Sequence, residues 1–302
     1  MADSVATERA TVKPTGVDVQ RRRGRAPDWR RGLALLALAL GAAVYLFPFY
    51  YMIVGALQRE PSTDISGALP NPANITLANL VDINDKINLG RTLLNSAIFT
   101  GGVVFATLVL GLLAGYALAQ LEFRGRAVAF NAMLLMLVLP FQLLMIPLYV
   151  MIVRTYGLAD SYLGMILPFA VNSTAVFIFR QFFLQIPRDL FEAARIDGAS
   201  EFGILRQVVV PLSMPAILTV TMVTFIGPWN EFLWPFLVTK SLELQPLAVA
   251  LATYISTVAN RAANPFGAIL AGATVLALPV VVLFIVFQRR FVEAQLGSGV
   301  KG

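Results

Sequence analysis

Read from one end to the other, the chain alternates between polar segments and apolar runs long enough to cross a bilayer. A helix needs about 20 mainly apolar residues to span the hydrocarbon core. Six runs meet that length, near 32–54, 94–119, 127–151, 160–183, 209–236 and 267–288. The first is too long for the core of a cleaved signal peptide, and bulky Tyr45, Phe47, Phe49, Tyr50 and Tyr51 occupy its far end, where a cleavage site would need small residues. It is expected to remain as a helix. Small residues recur at four-residue spacing within the runs, as in Gly111 with Gly115, Gly267 with Ala271, and Ala268 with Gly272, a pattern that lets helix backbones approach closely in lipid. The expected fold class is therefore an all-α membrane protein with six transmembrane helices.

The polar segments orient the bundle. Seventeen Lys and Arg fall in the amino tail, the 120–126 and 184–208 loops with Arg180, and the carboxyl tail; the alternate loops hold six. Basic residues stay on the cytoplasmic side, so both termini are expected there, in a multi-pass protein of the inner (cytoplasmic) membrane. Residues 1–31 read as a basic tail, polar and without apolar periodicity before Arg21, and disorder is expected in it. Residues 32–302 form the membrane domain. The 55–92 segment carries Pro61, Pro70, Asn71, Pro72 and Asn74, which mark turns on the outer side, where an extracytoplasmic partner has access.

Composition agrees with a lipid-facing exterior. Of 302 residues 58% are hydrophobic and 13% charged, against about 45–50% and 25% in an ordinary soluble domain. The net charge of +6 is explained by Arg21, Arg22, Arg23, Arg25, Arg30 and Arg31 beside the first run, so no nucleic-acid partner is expected. Cys and His are absent. Disulfides, thiol nucleophiles, imidazole acid–base chemistry and the usual zinc sites are excluded with them, and no metal site or catalytic residue is expected.

The most informative stretch lies between the fourth and fifth runs, Pro187-Arg188-Asp189-Leu190-Phe191-Glu192-Ala193-Ala194-Arg195-Ile196-Asp197-Gly198-Ala199-Ser200. It predicts a short helix in which Asp189 caps the first turn, Glu192 reaches back, and Gly198 supplies a left-handed exit. Leu190, Phe191 and Ile196 have no core to enter from an isolated loop. A groove on a cytoplasmic protein, approached closely through Ala193 and Ala194, or the inner membrane surface would cover them.

These residues resemble the cytoplasmic signature of permeases of binding-protein-dependent ABC importers, an E-A-A followed by Gly and then I-x-L-P. The matching positions are Glu192-Ala193-Ala194, Gly198, Val208, Val210 and Pro211; Asp197, Ala199 and Pro215 also fit the carbohydrate, maltose-type branch. Val208 and Val210 replace Ile and Leu conservatively. Gly227-Pro228-Trp229-Asn230-Glu231-Phe232 and the ending from Gln288 are similar to that branch, with Ala294-Gln295-Leu296-Gly297 matching less well. The resemblance implies the type I importer permease architecture, a coupling helix near 190–202 and half of a translocation path for a carbohydrate that works by alternating access. The implied partners are a second permease subunit, two nucleotide-binding ATPase subunits and an extracytoplasmic sugar-binding protein. No enzyme activity is expected in the chain itself. It has no G-x-x-x-x-G-K-[ST] loop, its lysines being Lys13, Lys86, Lys240 and Lys301, so the chain carries no cofactor and ATP and Mg belong on the partner ATPase.

Polar groups deep in a bilayer are costly unless they face protein or water. Asn172, Ser173 and Thr174, in the fourth run, suit either hydroxyl-rich solutes or interhelical hydrogen bonding. Pro228 lacks an amide hydrogen and is expected to kink or unwind the fifth run beside Gly227, making a gate. Asn230 and Glu231 follow near the outer surface, lining the path or solvated. Gln142 after Pro140, and Asn95 with Ser96, are further path candidates; Trp229 and Trp234 suit sugar stacking or the interfacial belt. Two other readings stay open. A permease of the same kind for glycerol phosphate or polyamine shares every feature. An ion-coupled secondary transporter would need mid-span Asp, Glu or Lys, which are scarce here.

Overall fold

The computed structural model describes residues 28–257 and 265–298, with side chains to 288. The chain divides into two compact units, one up to Pro48 and the other from Phe49 onward. The described part of the first unit belongs to one apolar helix. That helix, α1, runs Asp28–Ala56. The expectations for residues 1–27, Arg261 and the last four residues lie outside the described residues.

The second unit is also helical. The 55–92 segment contains a helix the turn residues did not announce, α2 (Ala78–Ile87). Asn79 draws it back onto the end of α1, its amide donating to Ala56 O at 2.9 Å and Gln58 O at 2.7 Å. Then follow α3 (Leu89–Gln120), α4 (Arg126–Val138), α5 (Phe141–Tyr149) with a π turn to Thr155, α6 (Tyr162–Ala170) and α7 (Ser173–Phe183). The chain continues as α8 (Arg188–Ile196), α9 (Glu201–Ile204), a π turn over Leu205–Val209, α10 (Val210–Leu212), α11 (Met214–Asn230), α12 (Leu233–Val238), α13 (Leu247–Thr257) and α14 (Pro265–Ser298).

Among the described residues, three helices are long and apolar enough to cross a membrane alone, Trp29–Ala56, Leu89–Gln120 and Pro265–Gln288, and three bent pairs raise the number to six if each pair is one span. The predicted third, fourth and fifth runs are thus not straight spans. α4 and α5 meet at 100°, α6 and α7 at 46°, and the 201–212 segment meets α11 at 79°. Each break has a local cause. Pro140 forces Leu139 into the extended region (ψ 120°). Asn172 leaves the helix and caps α7, accepting from Ala175 N at 3.2 Å. Pro211 and Pro215 flank Ser213 and withdraw two amide donors from one turn.

The core is built on α3. α6, α7 and α11 pack on it, and the approach of α7 depends on glycine. A Cβ at Gly115 would lie 2.7 Å from Phe179 Cβ and 3.2 Å from Arg180 N. Gly101, on the same helix, has no such neighbour within 4 Å. Gly115→Ala is expected to cost about 1–3 kcal/mol through overpacking, whereas Gly101→Ala is expected to be neutral or slightly stabilising; thermal unfolding in detergent compares them. Of the spaced small residues, Gly267 packs in the same manner against Asn79 and Gly272 against Leu251.

Outside the spans, Asp160 ties the α5–α6 loop to the segment after α12. Its Oδ1 accepts from Lys240 N (2.9 Å), Ser241 N (3.0 Å) and Ser241 Oγ (3.0 Å). Burial works to raise its pKa, but the backbone bonds from Ser241 and Lys240 and the Ser241 hydroxyl outweigh it and hold the carboxyl below its ordinary value. A depressed carboxyl stabilises the fold above its unfolded-state pKa and loses that contribution as the pH falls through its native value. The stability gap between wild type and Asp160→Asn should therefore be open at pH 6 and narrow as acidification passes below the ordinary carboxyl value toward the lower native one, as read from unfolding temperatures at each pH.

Candidate functional site

The stretch singled out in the sequence forms a helix with a defined entry and exit. Pro187 occupies the N-cap of α8 and offers no side-chain bond. The expected Asp189–Glu192 capping pair is therefore not formed: the helix starts at Arg188, which places Asp189 inside the first turn, where its charge still favours the positive end of the dipole. The exit is as expected. Gly198 has φ +81°, Ala199 N donates to Ala194 O at 3.0 Å and Gly198 N to Arg195 O at 3.1 Å, the paired bonds of a Schellman turn. Ser200 then caps α9, accepting from Gly203 N at 3.2 Å.

Two faces result. Phe191 is 1% exposed and packs with Phe183, Ile186, Ile204 and Leu205 in a core shared with α3, α7 and α11. This corrects the expectation that it projects outward: it lies one residue round the helix from Leu190 and anchors α8. Ala194 and Ala199 pack against the same core. On the other face Leu190 is 42% and Ile196 86% exposed, with Glu192, Ala193, Asp197 and Gly198 also exposed. Phe202, 66% exposed, extends the apolar surface onto α9.

Beneath this face a polar frame holds the last turn of α3. Arg126 donates from Nε to Leu118 O (2.9 Å), from Nη2 to Ala119 O (2.8 Å) and from Nη1 to Leu121 O (3.3 Å). Arg180 donates to Leu118 O at 3.2 Å while its guanidinium lies 3.9 Å from the centre of the Phe130 ring. Both arginines thus satisfy carbonyls that a helix end leaves open, with charge of the favourable sign. Glu201 accepts from Arg195 Nε at 2.9 Å and from the Tyr116 hydroxyl at 2.5 Å. Sequence reasoning gave none of Arg126, Arg180, Glu201 and Tyr116 a role in the site. Arg180, a charge within an apolar run, carried a signal; Tyr116 carried none.

The path candidates are placed differently from one another. Asn172 and Ser173 are half-buried and Thr174 exposed, at the break between α6 and α7. α11 runs unbroken through exposed Gly227 and buried Pro228 to Asn230, so the fifth run bends at Ser213 and stops after Asn230, without unwinding at Gly227. Exposed Asn230 donates to Ile226 O at 3.0 Å. Glu231 accepts from Leu233 N (3.1 Å) and Trp234 N (3.2 Å), capping α12. Gln142 is exposed at the start of α5. The other candidates are structural. Asn95 and Ser96 are 0% and 1% exposed, Asn95 donating to Glu243 O and Gln245 O and Ser96 accepting from Leu247 N. Trp229 and Trp234, 5% and 0% exposed, donate to Leu276 O and Gly164 O, and neither offers a face to sugar or membrane interface.

Comparison with known proteins gives this geometry a family. A family profile described as the binding-protein-dependent transport system inner membrane component matches residues 107–294. The arabinooligosaccharides transport system permease protein AraQ of Halalkalibacterium halodurans is 33% identical over 275 residues, covering 89% of this chain and 96% of the relative. The AraQ of Bacillus subtilis is 33% identical over 290 residues, 91% and 96% of the two chains. The sn-glycerol-3-phosphate transport system permease protein UgpE of Agrobacterium fabrum is 32% identical over 271 residues, 87% and 95% of the two. Among solved structures, a chain of a bacterial ABC transporter involved in the import of the acidic polysaccharide alginate has the same fold, with TM-score 0.75 at 24% identity over 87% of this chain and 98% of that one. The chain belongs to the family of inner-membrane components of binding-protein-dependent transport systems.

Proposed function

We propose that the chain is one of two permease subunits of an ATP-driven carbohydrate importer, and that α8 is the helix through which a separate ATPase moves it. The observation that carries this reading is the division of α8 into an anchored and an open face. Phe191 fixes the helix to the core of α3, α7 and α11, while Leu190, Ile196 and Phe202 remain exposed. An apolar ridge beside small Ala193 suits a hydrophobic cleft on a partner protein. The distribution of basic residues supports a cytoplasmic position for it. The lack of a phosphate loop in the sequence fits hydrolysis on two partner subunits, which would hold ATP and Mg.

In this mechanism closure of the ATPase pair displaces α8 as a rigid body, the 201–212 segment carries the displacement to the bend at Ser213, and α11 tilts. Alternating access follows without chemistry on the solute. The path runs between this chain and a second permease. Exposed Gln142, Thr174, Gly227 and Asn230 line it on this side, backed by Asn172 and Ser173 at the break between α6 and α7, by Pro228 inside α11 and by Glu231 just past its end. An extracytoplasmic binding protein delivers the sugar. Carbohydrate is favoured by the AraQ relatives, a polyol phosphate by the UgpE relatives; neutral Gln142, Thr174 and Asn230 suit the first better, because a phosphate calls for a cation.

The test is purification of the chain with its membrane partners. A P-loop subunit should co-purify, and in vesicles its hydrolysis should rise with the cognate binding protein loaded with an arabino-oligosaccharide. Uptake with no ATPase in the complex would sink the proposal; stimulation by sn-glycerol 3-phosphate alone would replace the cargo.

A further inference from the structure

The coupling helix is held to the core at two places, and the second is polar. Arg195, in the last turn of α8, and Glu201, the first residue of α9, are brought together by the left-handed turn at Gly198. Their ion pair, 43% and 44% exposed, is the sort that contributes little in water. The Tyr116 hydroxyl changes its status. Tyr116 is 4% exposed near the end of α3, and its ring is packed edge-on against Phe183 of α7 at 6.4 Å. Its hydroxyl reaches the second oxygen of the Glu201 carboxylate at 2.5 Å. One carboxylate therefore accepts from the buried end of α3 on one side and from α8 on the other. Charge-assisted bonds of this kind are short, directional and about twice as strong as neutral ones.

We propose that Tyr116, acting through Glu201 and Arg195, is a positioning residue that locks α8 to α3, so that a push on the coupling helix moves the central helix of the bundle along with α11. This rests on the reading of α8 as the coupling helix. The apolar contacts of Phe191, Ala194 and Ala199 are non-directional and do not by themselves fix the rotation of α8 about its axis. The chain from Tyr116 to Arg195 removes that freedom, since it ties the far end of the same helix to α3 through directional bonds. Among the described residues, no other side-chain hydrogen bond joins α8 or α9 to α3.

The chain has no cysteine, so Asp189→Cys on α8 and Leu113→Cys on α3 can carry a pair of spin labels in the full transporter complex. With the native relay their distance distribution should be narrow and the same before and after ATP–vanadate trapping. Tyr116→Phe keeps the ring and removes the hydroxyl; it should broaden the distribution and let the distance change on trapping, and it should lower the ATP-driven response at α3 by about tenfold, the scale of losing one bond to a charged group. Glu201→Gln should do the same, and the double variant should be no worse than Glu201→Gln alone. A bond that only stabilises would lower the unfolding temperature and leave the distances unchanged. That outcome, or movement of α8 against α3 in the native protein, overturns the proposal. Loss of the ATPase from the native complex instead counts against the coupling function itself.

Discussion

Replacing Gly198 by Val is expected to leave an inserted, folded chain whose transport is cut by roughly 5–30-fold. Nothing lies within 4 Å of the position a Cβ would take, so the defect is one of backbone and not of packing. At φ +81° an L-residue pays about 1–2 kcal/mol, and a β-branched one is a severe outlier there. The turn would relax toward negative φ, and the bonds from Gly198 N and Ala199 N to the end of α8 would break. Ser200, Glu201 and Phe202 would then leave their positions relative to α8. A shift of that energy changes the population of the competent turn by a factor of roughly 5–30, and import driven by ATP should fall accordingly. Gly198→Asn is the informative partner, because Asn tolerates the left-handed region. It should recover most of the activity. Equal loss in both variants would mean that the backbone at 198 is not what matters.

The second large effect concerns the open face. Leu190 and Ile196 contribute little to the fold of this chain, being 42% and 86% exposed, and substitutions at such positions usually change stability by no more than about 0.5 kcal/mol. If they fill a groove on the ATPase, each is a buried anchor in the complex, worth about 2 kcal/mol or more. Leu190→Asp with Ile196→Asp should therefore detach the ATPase during purification while the unfolding temperature of the isolated chain stays within a degree or two of wild type. Phe191→Ala is the contrast. It empties a site in the core and should cost about 3–5 kcal/mol in the isolated chain, with detachment following only from the collapse of α8. The two variants separate docking from folding.

The family signature was legible because its residues act through backbone geometry and local order. Gly198 announces its turn by having no side chain, and Ala193 and Ala194 announce helix. The number of apolar runs was legible for the same reason, since length and composition decide whether a segment enters lipid. What escaped was everything set by a neighbour distant in sequence. Hydropathy is blind to direction, so Phe191 and Leu190, adjacent and both apolar, could not be told apart; which one faces the core depends on Phe183, Ile204 and Leu205. Trp229 and Trp234 read as amphipathic rings, yet their indole nitrogens reach carbonyls of α14 and α6. Asn95 and Ser96 read as polar lining and are spent on the 243–247 backbone. The breaks at Leu139–Pro140 and Ser213 were written in prolines, but a proline inside an apolar run is also tolerated within a membrane helix, as Pro48, Pro228 and Pro279 are here.

The docking of α8 on a hydrolysing partner is tested most directly by a covalent link. With no native cysteine to compete, Ile196→Cys in the assembled transporter, treated with a short bifunctional thiol reagent, should join this chain to single cysteines placed round a hydrophobic cleft of the ATPase subunit, and the yield should persist through ATP binding. Cross-links from Ile196 to lipid or to the second permease only, or accessibility of that thiol to an impermeant reagent added outside the cell, would contradict it.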